Sequence, residues 1–287
     1  MGVGIALAGG GIRGIAHAGV LKALEENGIK IDAIGGTSAG SIVAALYAMG
    51  YKPYYIYILF KKYAQEIINI GNVPIINGIG NFVKCKKIGI SGLNDGTSLE
   101  KICNELASRK NMKLIADIKM PLAIPAVDIA EAKEYIFTNC APRDNINDDY
   151  ITEIEIGKAV RASSSFTAVF SPCEYNEHAF IDGGALDNIP VEEVKKQGAD
   201  VVIGVKFNSD EITKDSNIMD MTMKAIDIMG EKISEENLNK ADYILNVYTD
   251  KTGLLDIDKL DSCYKYGYNS VMENLEEIKN IIKNTNN

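Results

Sequence analysis

A serine lies between two glycines in Gly36-Thr37-Ser38-Ala39-Gly40, a segment with the pattern G-x-S-x-G. A short, partly apolar run precedes it and a helix-forming run follows it, as a nucleophile elbow requires. The chain turns so sharply in such an elbow that bulky neighbours would clash, so Gly36 and Gly40 leave room. Ser38 would then stand at a helix N-terminus, where unpaired N–H groups and the helix dipole favour negative charge. The alternative is a glycine-rich turn in which Ser38 only caps the helix.

A second glycine-rich segment, Gly9–Gly14, directly follows the apolar run Val3–Ala8. It satisfies G-x-G-x-x-G, the pattern of dinucleotide-binding loops. That fold also needs an acidic residue at the end of the second strand, but Asp32 stands at the start of that strand. The alternative is that the loop supplies a row of N–H donors to an oxyanion. The pattern of the loop alone favours a nucleotide-binding site. Together with the nucleophile elbow, it favours an oxyanion hole.

An aspartate ends the strand-like run His178–Asp182, directly before Gly183 and Gly184. In an open α/β sheet, functional sites form where strands end at their carboxyl side. Asp182 is therefore a candidate for chemistry. The alternative is a turn aspartate that only binds nearby backbone N–H groups.

The chain has only two histidines, His17 and His178, and neither follows Asp182. The order Ser, Asp, His of α/β-hydrolases therefore cannot be completed with Asp182 as the acid. We expect His17 to be a packing residue. His178 would share a strand face with Asp182 but lie ~13 Å away along the strand. The simplest site has two residues, with Ser38 as nucleophile and Asp182 as the base that accepts its proton and later activates water.

Composition narrows the possible classes of partner and cofactor. The net charge of -9 argues against nucleic acid as the main partner. Two histidines exclude a His-rich metal site, and no cofactor is expected. The five scattered cysteines suit reduced thiols in the cytoplasm, with peripheral membrane association possible. No run approaches a membrane span of ~18 apolar residues, the N-terminus shows no secretory pattern, and the oligomeric state stays open.

The elements that must position these residues follow an alternating order. Strand, glycine loop and helix occur twice in the first 50 residues, which is typical of a layered α/β fold. We expect a three-layer α/β/α architecture with a central, largely parallel sheet, and one domain over residues 1–287. The run Asp258–Lys283 predicts a single long closing helix.

Residues 51–92 differ from the rest of the chain. They contain five of its 14 tyrosines, and six lysines against one glutamate. An apolar and basic segment suggests a mobile cap or a surface that faces lipid. The alternative is a pair of helices with a solvated lysine edge.

Three segments in order, the glycine loop, the elbow and Asp182-Gly183-Gly184, resemble the motifs of the patatin-like phospholipases. Arg161-Ala162-Ser163 also matches, whereas Thr167 stands where the family usually has proline. The chain looks most like bacterial members, and its many Ile, Lys and Asn residues suggest an AT-rich bacterial genome. The matching residues that support the motifs are Ile12, Arg13, Gly14, Gly36, Thr37, Gly40, Gly183 and Gly184.

The resemblance implies metal-free hydrolysis of lipid acyl esters by a Ser–Asp dyad. Ser38 would attack the ester and Asp182 would act as base. The loop amides of Gly9, Gly10 and Gly11 would hold the oxyanion, and the elbow would add the N–H of Ala39. The implied substrate is a phospholipid or another lipid ester, reached by transient contact with a membrane surface.

The role of Arg13 stays open between bracing the loop, attracting a phosphate group and forming a surface salt bridge. Two other functions also stay open. One is a nucleotide-binding protein that uses Gly9–Gly14, and the other is a catalytically silent module that binds lipid.

Overall fold

The computed structural model describes residues 2–68, 94–142, 149–167, 169–208, 228–230, 232–250, 252–253 and 256–285. The strands are β1 (Val3–Leu7), β2 (Ala33–Gly36), β3 (Leu122–Asp128), β4 (Lys133–Thr138), β5 (Tyr150–Ile151), β6 (Cys173–Tyr175), β7 (His178–Asp182), β8 (Val201–Phe207) and β9 (Tyr243–Val247). The α-helices are α1 (Ala16–Glu26), α2 (Ala39–Ala48), α3 (Pro53–Ile68), α4 (Thr97–Ser108), α5 (Ile156–Ser163), α6 (Val191–Lys196), α7 (Leu260–Glu273) and α8 (Leu275–Asn284). Residues 228–230 and 232–238 are also helical.

All nine strands of the described chain form one sheet, in the order β5-β4-β3-β2-β1-β8-β9, with β7 paired to β3 and β6 paired to β7. The pairings of β1 with β2 and β8, of β2 with β3, of β4 with β5 and of β8 with β9 are parallel. Those of β3 with β4 and β7, and of β6 with β7, are antiparallel. The predicted α/β fold with a largely parallel sheet is confirmed.

The strands β2 and β7 share one edge of β3 and meet end to end there. Along β3, Leu122 and Ala123 pair with β2, whereas Ala126 to Asp128 pair with β7. On its other edge, β3 pairs with β4 from Ala123 to Asp128. Because β7 runs antiparallel to β3, it ends at the gap where β2 also ends. Asp182 therefore reaches the edge near Ser38 by an antiparallel strand, and not by the parallel arrangement that the sequence suggested.

Helices cover both faces of the sheet. A Cβ added to Gly35 would lie 2.7 Å from Val194 of α6, whereas one added to Gly36 would lie 2.4 Å from the Gly40 carbonyl oxygen of α2. Neighbouring residues of a strand point to opposite faces, so α6 and α2 belong to opposite layers. The strand β1 between them is buried along its whole length. This is the three-layer arrangement expected from the sequence.

The C-terminal helix differs from the prediction, and the segment 51–92 is described only in part. The predicted single helix Asp258–Lys283 is wrong, because Asn274 leaves helical geometry (φ -111°, ψ 11°) and separates α7 from α8. Within 51–92, α3 is described and residues 69–92 lie outside the described residues. No helix among the described residues is long and apolar enough to span a bilayer.

Candidate active site

Ser38 lies at the turn between β2 and α2 in a conformation that is unusual for a residue with a side chain. Its φ of 52° and ψ of -124° place it at the N-cap of α2, at a cost of about 1–3 kcal/mol. A Cβ added to Gly40 would lie 2.4 Å from the Leu7 carbonyl oxygen and 2.7 Å from that of Ala8. Glycine is therefore required where α2 packs against the end of β1, and the elbow predicted at residues 36–40 is confirmed.

Hydrogen bonds to Ser165 and Gly184 help to hold Asp182 at the end of β7. Its N–H donates to the Ser165 carbonyl oxygen (3.1 Å), and its Oδ1 accepts from the Gly184 N–H (2.8 Å). The next residue, Gly183, is so close to the elbow that an added Cβ would lie 3.1 Å from Thr37 Cγ2. The structure thus brings the ends of β2 and β7 together, and Ser38 and Asp182 line one cavity.

The glycine loop lies between β1 and α1 and lines the same cavity. The Gly9 N–H donates to Asn188 Oδ1 (3.0 Å), so Gly9 does not fit the expected role of oxyanion donor. The N–H groups of Gly10, Gly11 and Ala39 donate to no atom within the described part of the chain. These three N–H groups are the ones that could bind an oxyanion.

Arg13 braces the glycine loop from inside the protein. The side chain is only 4% exposed, which removes the surface salt bridge as an explanation. Its Nε donates to the Gly10 carbonyl oxygen and its Nη1 to that of Asn208, both at 3.3 Å. The guanidinium also stacks over Phe207, 5.7 Å from the ring centre. Loop and elbow meet directly, because a Cβ on Gly14 would lie 2.5 Å from Ala39 Cβ.

Three consecutive serines at the end of α5 hold both candidate catalytic residues. Ser163 Oγ accepts from the Ser38 N–H (3.1 Å), and Ser164 Oγ donates to the Ser38 carbonyl oxygen (3.2 Å). Ser165 accepts the Asp182 N–H, and its hydroxyl bonds to the buried guanidinium of Arg161. This serine triplet, residues 163–165, links the elbow to the end of β7.

Both histidines bond to groups outside the Ser38–Asp182 pair. His17 is fully buried, and Nε2 donates to the Ala8 carbonyl oxygen (2.8 Å) just before the glycine loop. Burial lowers the pKa of His17 to about 4, so the ring is neutral at physiological pH. His178 begins β7, at the opposite end from Asp182, and its Nδ1 bonds to Asp128 Oδ2 (2.9 Å). It does not line the cavity formed by the described residues.

The cavity has a volume of about 460 Å³ and two different walls. What we call the apolar wall comes from α2, α3, α4 and the loop after α5, on the α2 side of the sheet. It consists of Ile42, Phe60, Ala64, Leu99, Phe166, Val169 and Phe170. What we call the charged wall comes from the end of β8 and residues 232–238, which pack on the α6 side. Its polar members are Lys206, Asn208, Lys232, Ser234 and Glu235, and the same side also contributes the apolar Leu238.

The position of Asp32 disagrees with a dinucleotide site. Asp32 precedes β2, and its Oδ2 accepts the Val3 N–H (3.2 Å) at the start of β1. The glycine loop follows the other end of β1. An acidic residue at the amino end of these parallel strands cannot bind a ribose held by the loop at the carboxyl end.

Asn188 and the serine triplet are the functional neighbours that sequence reasoning missed. Asn188 holds Gly9, and the preceding Asp187 accepts the Thr37 hydroxyl through its carbonyl oxygen (2.8 Å). Burial raises the pKa of the Asp187 carboxyl to about 7. The only signal for the triplet was the Arg161-Ala162-Ser163 match. Polar residues in turns otherwise look alike in a sequence.

Comparisons with known proteins match most of this chain. A family model described as patatin-like phospholipase matches residues 5–195. Lysophospholipase NTE1 of Meyerozyma guilliermondii is 32% identical over 210 residues, which are 72% of this chain and 13% of that protein. The Candida albicans protein of the same name is 31% identical over 212 residues, again 72% and 13%. The chain thus spans 13% of the length of these curated relatives.

A crystal structure of VipD from Legionella pneumophila has a similar fold. The TM-score is 0.51 at 15% identity, and the match covers 96% of this chain and 67% of that one. The expectation that this chain is most like bacterial family members is wrong, because the curated relatives it matches are fungal.

Proposed function

The chain belongs to the patatin-like phospholipase family, and on this premise we propose that it hydrolyses acyl esters of lipids through an acyl-enzyme. The observation that carries the proposal is the end-to-end meeting of β2 and β7. It sets Ser38 and Asp182 on one cavity of about 460 Å³, a size common for pockets that hold small molecules.

In the first half of the proposed reaction, Ser38 Oγ attacks the ester carbonyl carbon while its proton passes to the Asp182 carboxylate. The tetrahedral oxyanion accepts hydrogen bonds from the N–H groups of Gly10, Gly11 and Ala39. Each such donor is typically worth about 10²–10³ in rate. The C–O bond to the alcohol then breaks, Asp182 returns the proton to the departing oxygen, and the acyl group stays on Ser38.

In the second half, Asp182 takes a proton from a water molecule that attacks the acyl carbonyl. The same donors hold the second oxyanion. The bond to Ser38 Oγ breaks, the proton returns to the serine, and a fatty acid leaves. The position of Ser38 at the N-terminus of α2 supports both steps, because the helix dipole stabilises negative charge there.

We further propose a lipid with a single acyl chain as substrate. The curated relatives are named lysophospholipases, and the apolar wall brings aromatic and aliphatic side chains to the same cavity as Ser38. A chain of that kind is held by the hydrophobic effect alone, at about 0.8 kcal/mol per buried methylene.

The helix α3 suits contact with a lipid surface. Phe60 and Ala64 face the cavity, whereas Tyr54, Tyr55 and Ile58 are 56%, 44% and 39% exposed. Exposed apolar side chains next to a lipid site favour interfacial binding. We expect Ile58→Asp to reduce co-sedimentation with anionic phospholipid vesicles, with exposed Ile129→Asp as the matched control. Equal binding of both variants would contradict this role of α3.

The test of the proposed chemistry is labelling of the purified protein with a fluorophosphonate, read by intact mass and peptide mapping. We expect one adduct, on Ser38, and none in Ser38→Ala. Hydrolysis of a lysophospholipid should disappear in the same variant, with the thermal unfolding temperature unchanged. A folded protein that binds vesicles without labelling or turnover would instead be a silent lipid-binding module.

A further inference from the structure

Lys206 is a cationic side chain of the charged wall that the proposed reaction does not use. It is half-buried near the end of β8 and lines the cavity with Ser38 and Asp182. Among the described residues it forms no hydrogen bond or ion pair. By contrast, Lys232 of the same wall pairs with Glu235 at 2.5 Å. Glu235, which pairs with Lys232, is near enough to interact electrostatically with Lys206, but within the described part of the chain no carboxylate binds the Lys206 ammonium directly.

The balance of charge around the cavity differs from that of the whole chain. The chain carries a net charge of -9. Among the described residues, three cations, Arg13, Lys206 and Lys232, and two carboxylates, Asp182 and Glu235, line the cavity. Arg13 is committed to the glycine loop and Lys232 to Glu235. An anion in the cavity would thus meet Lys206 as its available partner.

The two walls also fix how an ester would lie. They belong to opposite faces of the sheet, and Ser38 stands between them at the end of β2. When the carbonyl carbon is at Ser38, the acyl chain and the alcohol part of the ester extend in opposite directions. The apolar wall suits the acyl chain, so the alcohol part extends along the charged wall toward Lys206.

We propose that Lys206 binds the phosphate of a phosphate-bearing, single-chain lipid and so selects it over a neutral glyceride. The inference rests on the proposed function for the direction of the ester. Its chemistry is a charge-assisted hydrogen bond from the lysine ammonium to a phosphate oxygen, which is stronger than a neutral one. A neutral monoacylglycerol offers this charge only neutral hydroxyl and ester oxygens, whose hydrogen bonds are weaker.

The test is binding of ether-linked analogues, which have no ester to cleave. The pair is an alkyl lysophosphatidylcholine and the 1-O-alkylglycerol of equal chain length, measured by calorimetry below their critical micelle concentrations. We expect Lys206→Ala to weaken binding of the phospholipid analogue about tenfold and to leave the alkylglycerol unchanged. Lys206→Arg should keep binding close to wild type. Lys119→Ala removes an exposed lysine elsewhere and is the matched control.

Equal weakening of both analogues, or of neither, would overturn the proposal. Inorganic phosphate forms a third arm: if it binds at Lys206 as tightly as the phospholipid analogue, the site is one for free phosphate. The binding arms need no turnover. Selective binding without hydrolysis of the corresponding esters would therefore refute the proposed function and leave the role of Lys206 standing.

Discussion

Ser38 and Asp182 reach the same gap in the sheet by different physical means. Ser38 has hydrogen bonds to Ser163 and Ser164, but what distinguishes it is shape: its φ is 52°, and the neighbouring glycines pack directly against backbone atoms of β1 and α2. Asp182 has an ordinary extended backbone (φ -50°, ψ 131°) and is held by hydrogen bonds to Ser165 and Gly184.

This difference predicts that substitutions near Ser38 and substitutions at Asp182 have different effects. Around Ser38, an added atom collides with backbone that cannot move without shifting a strand or a helix, so substitutions there should cost stability. Around Asp182, an isosteric change keeps the shape and alters only the chemistry, so it should cost activity alone. The serine triplet contacts both residues, so substitutions in it should lower both stability and activity.

The largest effect is expected for Asp182→Asn. The amide still accepts the Gly184 N–H but cannot take the serine proton, so kcat should fall by about 10²–10⁴-fold with little change in the unfolding temperature. The control is Glu235→Gln, the other carboxylate of the cavity, which should stay within a few-fold of wild type. Retention of a tenth of the activity in Asp182→Asn would contradict the dyad.

Gly40→Ala should have the next largest effect, on stability. The new Cβ would lie 2.4 Å from the Leu7 carbonyl oxygen, so β1 and α2 must separate, at about 3 kcal/mol. Gly28→Ala is the control, because a Cβ there meets nothing within 4 Å and only its φ of 75° is strained. Urea unfolding would measure the free energy of unfolding of both variants. Equal loss in both variants would show that packing does not hold the elbow.

Ser163→Ala should lower kcat about tenfold and leave KM unchanged. It removes the acceptor of the Ser38 N–H, and a buried donor left unpaired costs about 1–3 kcal/mol. Ser164→Ala is the control, since the Ser38 carbonyl oxygen still accepts from the Ser41 hydroxyl (2.6 Å) and N–H (2.9 Å). The rate of fluorophosphonate labelling should follow kcat. Equal rates in the two variants would remove the positioning role of Ser163.

His178→Ala should have the smallest effect, within about twofold in kcat. The ring bonds to Asp128, which keeps backbone N–H donors from Ala130, Glu131 and Ala179. Steady-state hydrolysis with a lysophospholipid would measure it. A loss of activity comparable to that of Asp182→Asn would show that His178 takes part in the reaction. The two ends of β7 would then both be needed for activity.

The elbow could be predicted from the sequence because its requirements are local. Gly36 and Gly40 are needed within two residues of Ser38, so a motif of five residues contains the steric requirements of the turn. The position of Asp182 was predicted for a partly wrong reason, since β7 is antiparallel to β3. Strand direction depends on the pairing of distant segments. The sequence of a single strand does not show whether it pairs in parallel or antiparallel.

The supporting contacts were beyond sequence reasoning for the same physical reason. Ser163 and Ser38 are 125 residues apart, and Asn188 and Gly9 are 179 apart. Hydrogen bonds of this kind need only a small polar side chain at each site, which many turns contain. The break between α7 and α8 at Asn274 was missed because the apolar spacing continues across it.

The pairing of β1 has a consequence for synthesis of the protein. Val3 pairs with Val201 of β8, a separation of 198 residues, and the family match ends at residue 195. While the chain leaves the ribosome, β1 has β2 as a neighbour early but lacks its other neighbour until β8 has emerged. An open strand edge invites pairing with other chains. Fragments ending at the family boundary should therefore aggregate, and slow growth of the nascent chain should increase its dependence on chaperones.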